Sequence, residues 1–174
     1  MKPLHQTMKT PFLLAVAFCL CTVAFAQNSK AEKKAKQEAQ IKQAIDSQNY
    51  VFKAQMAMPV GGRSRQLTSD YDLKITKDAV VSYLPYFGRA YSATPGSTDN
   101  GLDFTSKDFE YSISPNKKDD GWDIVIKPKD SKQAREILLT AFKSGTASLT
   151  VTSNDKQNIS FSGYITPNTS KKKK

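Results

Sequence analysis

The side chains that most often serve as nucleophile–base pairs or zinc ligands are scarce in this chain: one histidine, His5, and two cysteines, Cys19 and Cys21. All three fall in a stretch that reads as a secretory signal peptide, residues 1–26. Lys2 and Lys9 give it a positive start, Phe12 to Val23 an apolar run, and Ala24-Phe25-Ala26 a small-x-small cleavage site before Gln27. The run is shorter than the ~20 residues that span a bilayer, so no transmembrane segment is expected after cleavage. The residues before Cys19 and Cys21 also lack the Leu-small-small pattern that lipid modification favours. The expected location is therefore periplasmic or secreted.

Cleavage after Ala26 leaves a chain, Gln27 to Lys174, with neither Cys nor His. Cysteine nucleophiles, Ser-His-Asp triads, His/Cys zinc sites and disulfides are then all excluded. Asp and Glu are scattered through the remainder, and no signature frames any of them. The sequence thus predicts no catalytic residues, no cofactor and no enzyme.

What remains that could contact a ligand is concentrated in Tyr83-Leu84-Pro85-Tyr86-Phe87-Gly88-Arg89-Ala90-Tyr91. Tyr83, Tyr86, Phe87, Arg89 and Tyr91 are the candidate ligand-binding residues. Aromatic faces beside a fixed cation suit an anionic or ring-bearing ligand, such as a sugar acid or a lipid headgroup. The same residues equally describe a packed structural corner. In either case Gly88 is expected to supply a positive φ, and Arg89 to lie on Tyr86 or Tyr91 as a cation–π pair. Asp99 to Asp103 and Asp119 to Asp123 place oxygen ligands around a glycine. Neither has a full calcium loop, so no metal is expected and both read as turns.

The formal net charge of +10 is unevenly placed. Much of it lies in the leader, in the segment after it and in the terminal Lys171 to Lys174, which leaves the central region nearly neutral. No nucleic-acid groove is indicated. A weak electrostatic association with anionic envelope surfaces through the basic tail is the partner reading that remains beside a small or envelope ligand.

The elements that hold these residues change period at Tyr50. Asn28 to Gln48 has no Gly or Pro, carries Ala31, Ala35, Ile41 and Ile45 at loose helical spacing, and can open on a Ser29–Glu32 capping box. It reads as a solvated helical arm. From Tyr50 the period is two. Phe52, Ala54, Met56 and Met58 should line one face of a first strand ending at Pro59. Tyr71, Leu73 and Ile75 form a second, and Lys77-Asp78 turns into Ala79 to Leu84. Leu102 and Phe104 start the next, followed by Phe109, Tyr111 and Ile113 up to Pro115, then Trp122, Ile124 and Ile126 up to Pro128. Ala147 to Thr152 and Asn158 to Tyr164 make a last hairpin across Asn154 to Gln157. Arg63 to Leu67 is ambiguous. Asp130 to Phe142 fits either a helix or a strand from Glu136 to Lys143, and the strand is preferred.

Short strands at about ten-residue intervals predict a mainly β fold, an antiparallel β-sandwich or small barrel of about eight strands preceded by an N-terminal helical arm. The expected divisions are 1–26 signal peptide, 27–49 charged helical arm, 50–168 β-domain and 169–174 lysine tail. A β-domain of about 120 residues buries roughly 60–70% of its unfolded surface, enough for a core without disulfides.

The Leu84-Pro85-Tyr86-Phe87-Gly88-Arg89-Ala90-Tyr91 motif, the Tyr71-Asp72-Leu73 strand before it, and the closing Gly145-x-Ala147-x-Leu149-x-Val151-x-Ser153 with Ile159-x-Phe161-x-Gly163 carry a family resemblance. With the leader, they resemble a secreted domain-of-unknown-function family, number 4251, of the Bacteroidetes type, over roughly residues 50–165. The resemblance implies an envelope or secreted location and a strand at Glu136 to Lys143. It implies no activity and no catalytic residues. The function that residues and resemblance together suggest is a non-catalytic binding module. The alternative is an envelope structural protein held by its basic arm and tail.

Overall fold

The computed structural model describes residues 32–91, 101–118 and 120–168. The leader, Ser29, Asp99, Asn100, Asp119 and the lysine tail, on which several expectations rest, lie outside the described residues. The chain divides into two compact units, Met1–Lys36 and Gln37–Lys174, and the second holds every strand among the described residues.

A helix, α1, spans 32–46. Ten strands follow among the described residues: β1 (Tyr50–Pro59), β2 (Arg65–Gln66), β3 (Asp72–Ile75), β4 (Val80–Pro85), β5 (Gly101–Ser106), β6 (Phe109–Pro115), β7 (Gly121–Pro128), β8 (Glu136–Phe142), β9 (Thr146–Thr152) and β10 (Ile159–Pro167). They form one antiparallel sheet in the order β5-β4-β3-β1-β10-β9-β8-β7-β6, with β2 off the path beside β1. The nine-strand path nearly closes into a barrel. The ambiguous segment before Phe142 is the strand β8. Its Ile137, Leu139 and Ala141 are buried, while Leu138 lies on the outer face.

Eight antiparallel steps separate β5 from β6 along that path, so the two strands run in the same sense. Only Lys107 and Asp108 join them. They are therefore two halves of one bent course, the first paired with β4 and the second with β7. Asp130 holds the bend. Its carboxylate accepts the Ser106 hydroxyl at 2.5 Å and the N–H groups of Lys107 and Asp108 at 2.9 and 3.2 Å. These bonds to the charged form, the Ser106 hydroxyl foremost and the Lys107 N–H next, lower the Asp130 pKa below its ordinary value.

The inward face follows the two-residue period with one exception. Tyr50, Phe52 and Ala54 are buried, but beyond Gln55 the buried residues are Ala57 and Pro59, not Met56 and Met58 as alternation predicts. The register against β10 shifts between Ala54 and Met56, so Gln55 is the extra residue of a β-bulge. The bulge also changes the neighbour of β1. Up to Lys53 it pairs with β3, and from Met56 with β2. Between them, the Ala54 N–H donates to the Tyr71 carbonyl at 3.0 Å and the Gln55 carbonyl accepts the Leu67 N–H at 2.8 Å. Opposite lies Gly163, where an added Cβ would stand 1.9 Å from the Lys53 carbonyl oxygen. Only glycine permits that approach.

The helix is not a solvated arm. Ile41, Ala44 and Ile45 are buried and join the barrel core, and Gln37 Nε2 donates to the Ser144 carbonyl at 2.9 Å. A lone helix of this length is marginal in water. Burying an isoleucine contributes about 1.5–3 kcal/mol, so two of them decide the matter. No helix among the described residues is long and apolar enough to cross a membrane.

Candidate functional site

The segment after β4 leaves the sheet at Pro85 and folds onto the β9–β10 loop. Tyr91 N–H donates to the Asp155 carbonyl at 2.7 Å, Gln157 N–H donates to the Arg89 carbonyl at 3.0 Å, and Ala90 and Lys156 form an isolated bridge. This three-residue ladder lies at one end of β9. The contact of α1 with Ser144 lies at the other, so the aromatic corner and the helix cap opposite ends of that strand.

Tyr86 is the centre of the corner. Its hydroxyl points to two carbonyls, Arg89 at 2.8 Å and Gln157 at 3.0 Å. Burial pushes its phenol pKa above the ordinary value. Gly88 makes room for this arrangement, since an added Cβ would come within 2.4 Å of the Tyr86 hydroxyl oxygen. The expected positive φ at Gly88 is absent, and closeness to the ring is what the position requires.

Two cations lie over the aromatic rings, and neither is Arg89. The Arg65 guanidinium is 4.8 Å from the Phe87 ring centroid, and Lys156 Nζ is 5.3 Å from that of Tyr86. Such contacts contribute about 0.5–1 kcal/mol at exposed sites. Lys156 Nζ also donates to the Gly101 carbonyl at 3.0 Å. Arg89 is exposed, and its backbone makes the described bonds while its guanidinium forms no ion pair among the described residues. Arg65 likewise has no carboxylate partner among them. The corner therefore sets two cations, Arg65 and Lys156, over the partly buried rings of Phe87 and Tyr86, with Arg89 and Tyr91 exposed on the same segment.

Of the five residues singled out from the sequence, the structure brings four together. Tyr83 departs. It sits on the outer face of β4, 52% exposed, with its ring 5.4 Å from that of Tyr71. Sequence reasoning missed Arg65, in the ambiguous Arg63 to Leu67 stretch, and Lys156 with Gln157, which looked like ordinary turn residues. Their role depends on contacts with a segment some 20 to 70 positions away, which no local pattern reports. A separate open groove of about 530 Å³ lies between α1 and the end of β10, lined by Gln40, Gln43, Ser47, Asn49 and Asn168 among others. None of the residues singled out from the sequence borders it. Among the described residues no cluster of three metal-ligating side chains occurs.

Fold and corner together define a small antiparallel β-barrel, nearly closed, with a helix packed into its core and an aromatic turn at the other end of β9. The family model described as Domain of unknown function (DUF4251) matches residues 32–165, and the chain belongs to that family. Among solved structures it is similar to a DUF4251 family protein from Bacteroides eggerthii DSM 20697, with a TM-score of 0.55 and 16% sequence identity, over 76% of this chain and 89% of that one. At that identity the likeness concerns the fold alone. No curated protein matches.

Proposed function

We propose that this chain is an exported, non-catalytic binding module whose aromatic corner takes a small or envelope-associated anionic ligand. The observation that carries this reading is the set of unpaired cations on the segments that form the Tyr86–Phe87 corner. Arg65 and Lys156 are fixed over rings, Arg89 is exposed two residues beyond Phe87, and none of the three has a carboxylate partner among the described residues. A carboxylate or phosphate on a ring-bearing ligand matches that surface in charge, and the rings supply apolar contact. The Tyr86 hydroxyl is occupied by two carbonyls, which favours binding over proton transfer. Export rests on the leader, Met1 to Ala26. The reading as a structural protein tethered by its arm is weakened, because α1 buries Ile41 and Ile45 in the barrel.

Titration calorimetry with trigalacturonate, and flotation with phosphatidylglycerol vesicles, test the two forms of such a ligand. Saturable binding that weakens with salt, and that Arg89→Ala removes without changing the melting temperature, is the expected result. Binding that survives combined substitution of Arg65, Arg89 and Lys156 by glutamine would place the site elsewhere. Fractionated cells that hold the protein with Met1 as its first residue would remove the export half of the reading.

A further inference from the structure

Tyr83, which the corner does not use, belongs to an ordered row on the outer face of the barrel. In register across four strands stand Tyr83 on β4, Asp72 on β3, Lys53 on β1 and Tyr164 on β10. Their chain neighbours Ser82, Leu73, Phe52 and Ile165 are buried, so alternation turns all four outward. Tyr83 and Tyr164 are 52% and 40% exposed, respectively. Tyr71 stacks beside Tyr83 at an interplanar angle of 32° and braces it. Between the two tyrosines, Lys53 Nζ and Asp72 Oδ2 pair at 2.9 Å, so the row carries no net charge. Neighbouring strands lie about 4.8 Å apart, so three strand steps set the tyrosines about 14 Å from each other, the reach of a short oligosaccharide.

Beyond Tyr164 the same face turns to hydroxyls. Thr146 stands opposite Tyr164, Ser148 opposite Ser162, and Thr150 opposite Ser160, the last two in hydrogen-bond contact at 3.0 Å. Each hydroxyl both donates and accepts. Exposed aromatic faces, one neutralised ion pair and a ladder of hydroxyls are complementary to a polyol with apolar C–H faces. The electron-rich face of a phenol ring attracts such C–H groups. A polyanion finds no unpaired cation in this row, in contrast to the corner.

We infer that this outer face binds a neutral oligosaccharide laid across the strands, with sugar rings on Tyr83 and Tyr164 and sugar hydroxyls on Lys53, Asp72 and the hydroxyl ladder. The site is independent of the corner and of its ligand. Affinity electrophoresis of the full chain through gels carrying hydroxyethyl cellulose, glucomannan or glycol chitin tests it, with polygalacturonate as the charged control. Retardation in at least one neutral gel is expected, and it should persist at about 0.5 M NaCl because no net charge is involved. Tyr83→Ala and Tyr164→Ala should each weaken it roughly tenfold, as loss of an aromatic anchor does. Tyr83→Phe and Tyr164→Phe, which keep the ring, should retain most of it, and Arg89→Ala should leave it unchanged. No retardation in any neutral gel, retardation by polygalacturonate alone, or full retardation in both alanine variants would overturn the inference.

Discussion

Tyr50 and Tyr111 meet hydroxyl to hydroxyl at 3.2 Å, although their strands β1 and β6 are five steps apart along the sheet. The contact therefore crosses the barrel interior. It ties the first strand to an edge strand whose sheet neighbour is β7. Tyr50 is fully buried, whereas Tyr111 reaches the surface in part. Burial foremost, and then the Tyr111 hydroxyl, raise the Tyr50 pKa well above its ordinary value.

That asymmetry sets an order for two conservative variants. Tyr111→Phe strands the Tyr50 hydroxyl in the core, at a cost of about 1–3 kcal/mol. Tyr50→Phe leaves Tyr111 able to bond water, at about 0.5–1.5 kcal/mol. Urea unfolding of both should show Tyr111→Phe as the less stable. The reverse order would mean that the hydroxyl contact does not hold β6.

Where β6 begins, the bend that joins it to β5 hangs on Asp130. Its folded pKa is depressed, so its contribution to stability is present above the unfolded value of about 3.9 and is lost as pH falls through the folded one. The stability difference between the native chain and Asp130→Asn should be steady near neutrality and shrink as pH drops from about 5 toward 2. Urea midpoints across that range measure it. A difference that grows in acid would contradict the assigned bonds.

Arg89 and Tyr86 separate the proposed ligand contact from the fold within one motif. The Arg89 guanidinium has no described partner, so Arg89→Ala should stay within about 0.5 kcal/mol of the native chain. Tyr86→Phe removes the hydroxyl shared by the Arg89 and Gln157 carbonyls and should cost about 0.5–1.5 kcal/mol. Thermal melts of the two variants check both figures. A large loss for Arg89→Ala would make it a clasp of the fold.

The strands were legible in the sequence because Leu73/Ile75, Ile124/Ile126 and Leu149/Val151 keep a strict two-residue period wherever one face is buried. The bulge at Gln55 was not, since Met56 and Met58 continue the apolar alternation that the backbone abandons. Nor was the docking of α1: Ile41, Ala44 and Ile45 make a thin stripe, and its partner surface exists only once the barrel is formed. Half of the corner could be read, because Tyr86, Phe87, Arg89 and Tyr91 are contiguous. The cations over its rings come from β2 and from the β9–β10 loop, beyond the reach of local spacing. At Gly88 the residue type was right for a different reason, a close ring instead of a turned backbone.

The pairing of β1 with β10 has a consequence for how the chain is made. The strand that begins the barrel finds its long partner, Ile159–Pro167, at the end of the described chain, with Tyr50 opposite Pro167 and Pro59 opposite Ile159. A chain synthesised from its N-terminus cannot form that ladder until its last strand has emerged. The surface that receives α1, at Ser144 and Gly145, is also late. Until then the inward aromatic faces of Tyr50 and Phe52 have no complete core to enter. Contacts of such long sequence separation close slowly. The strand that completes the β1 ladder is therefore the last of the described strands to be made, and the barrel stays open along that seam until it arrives.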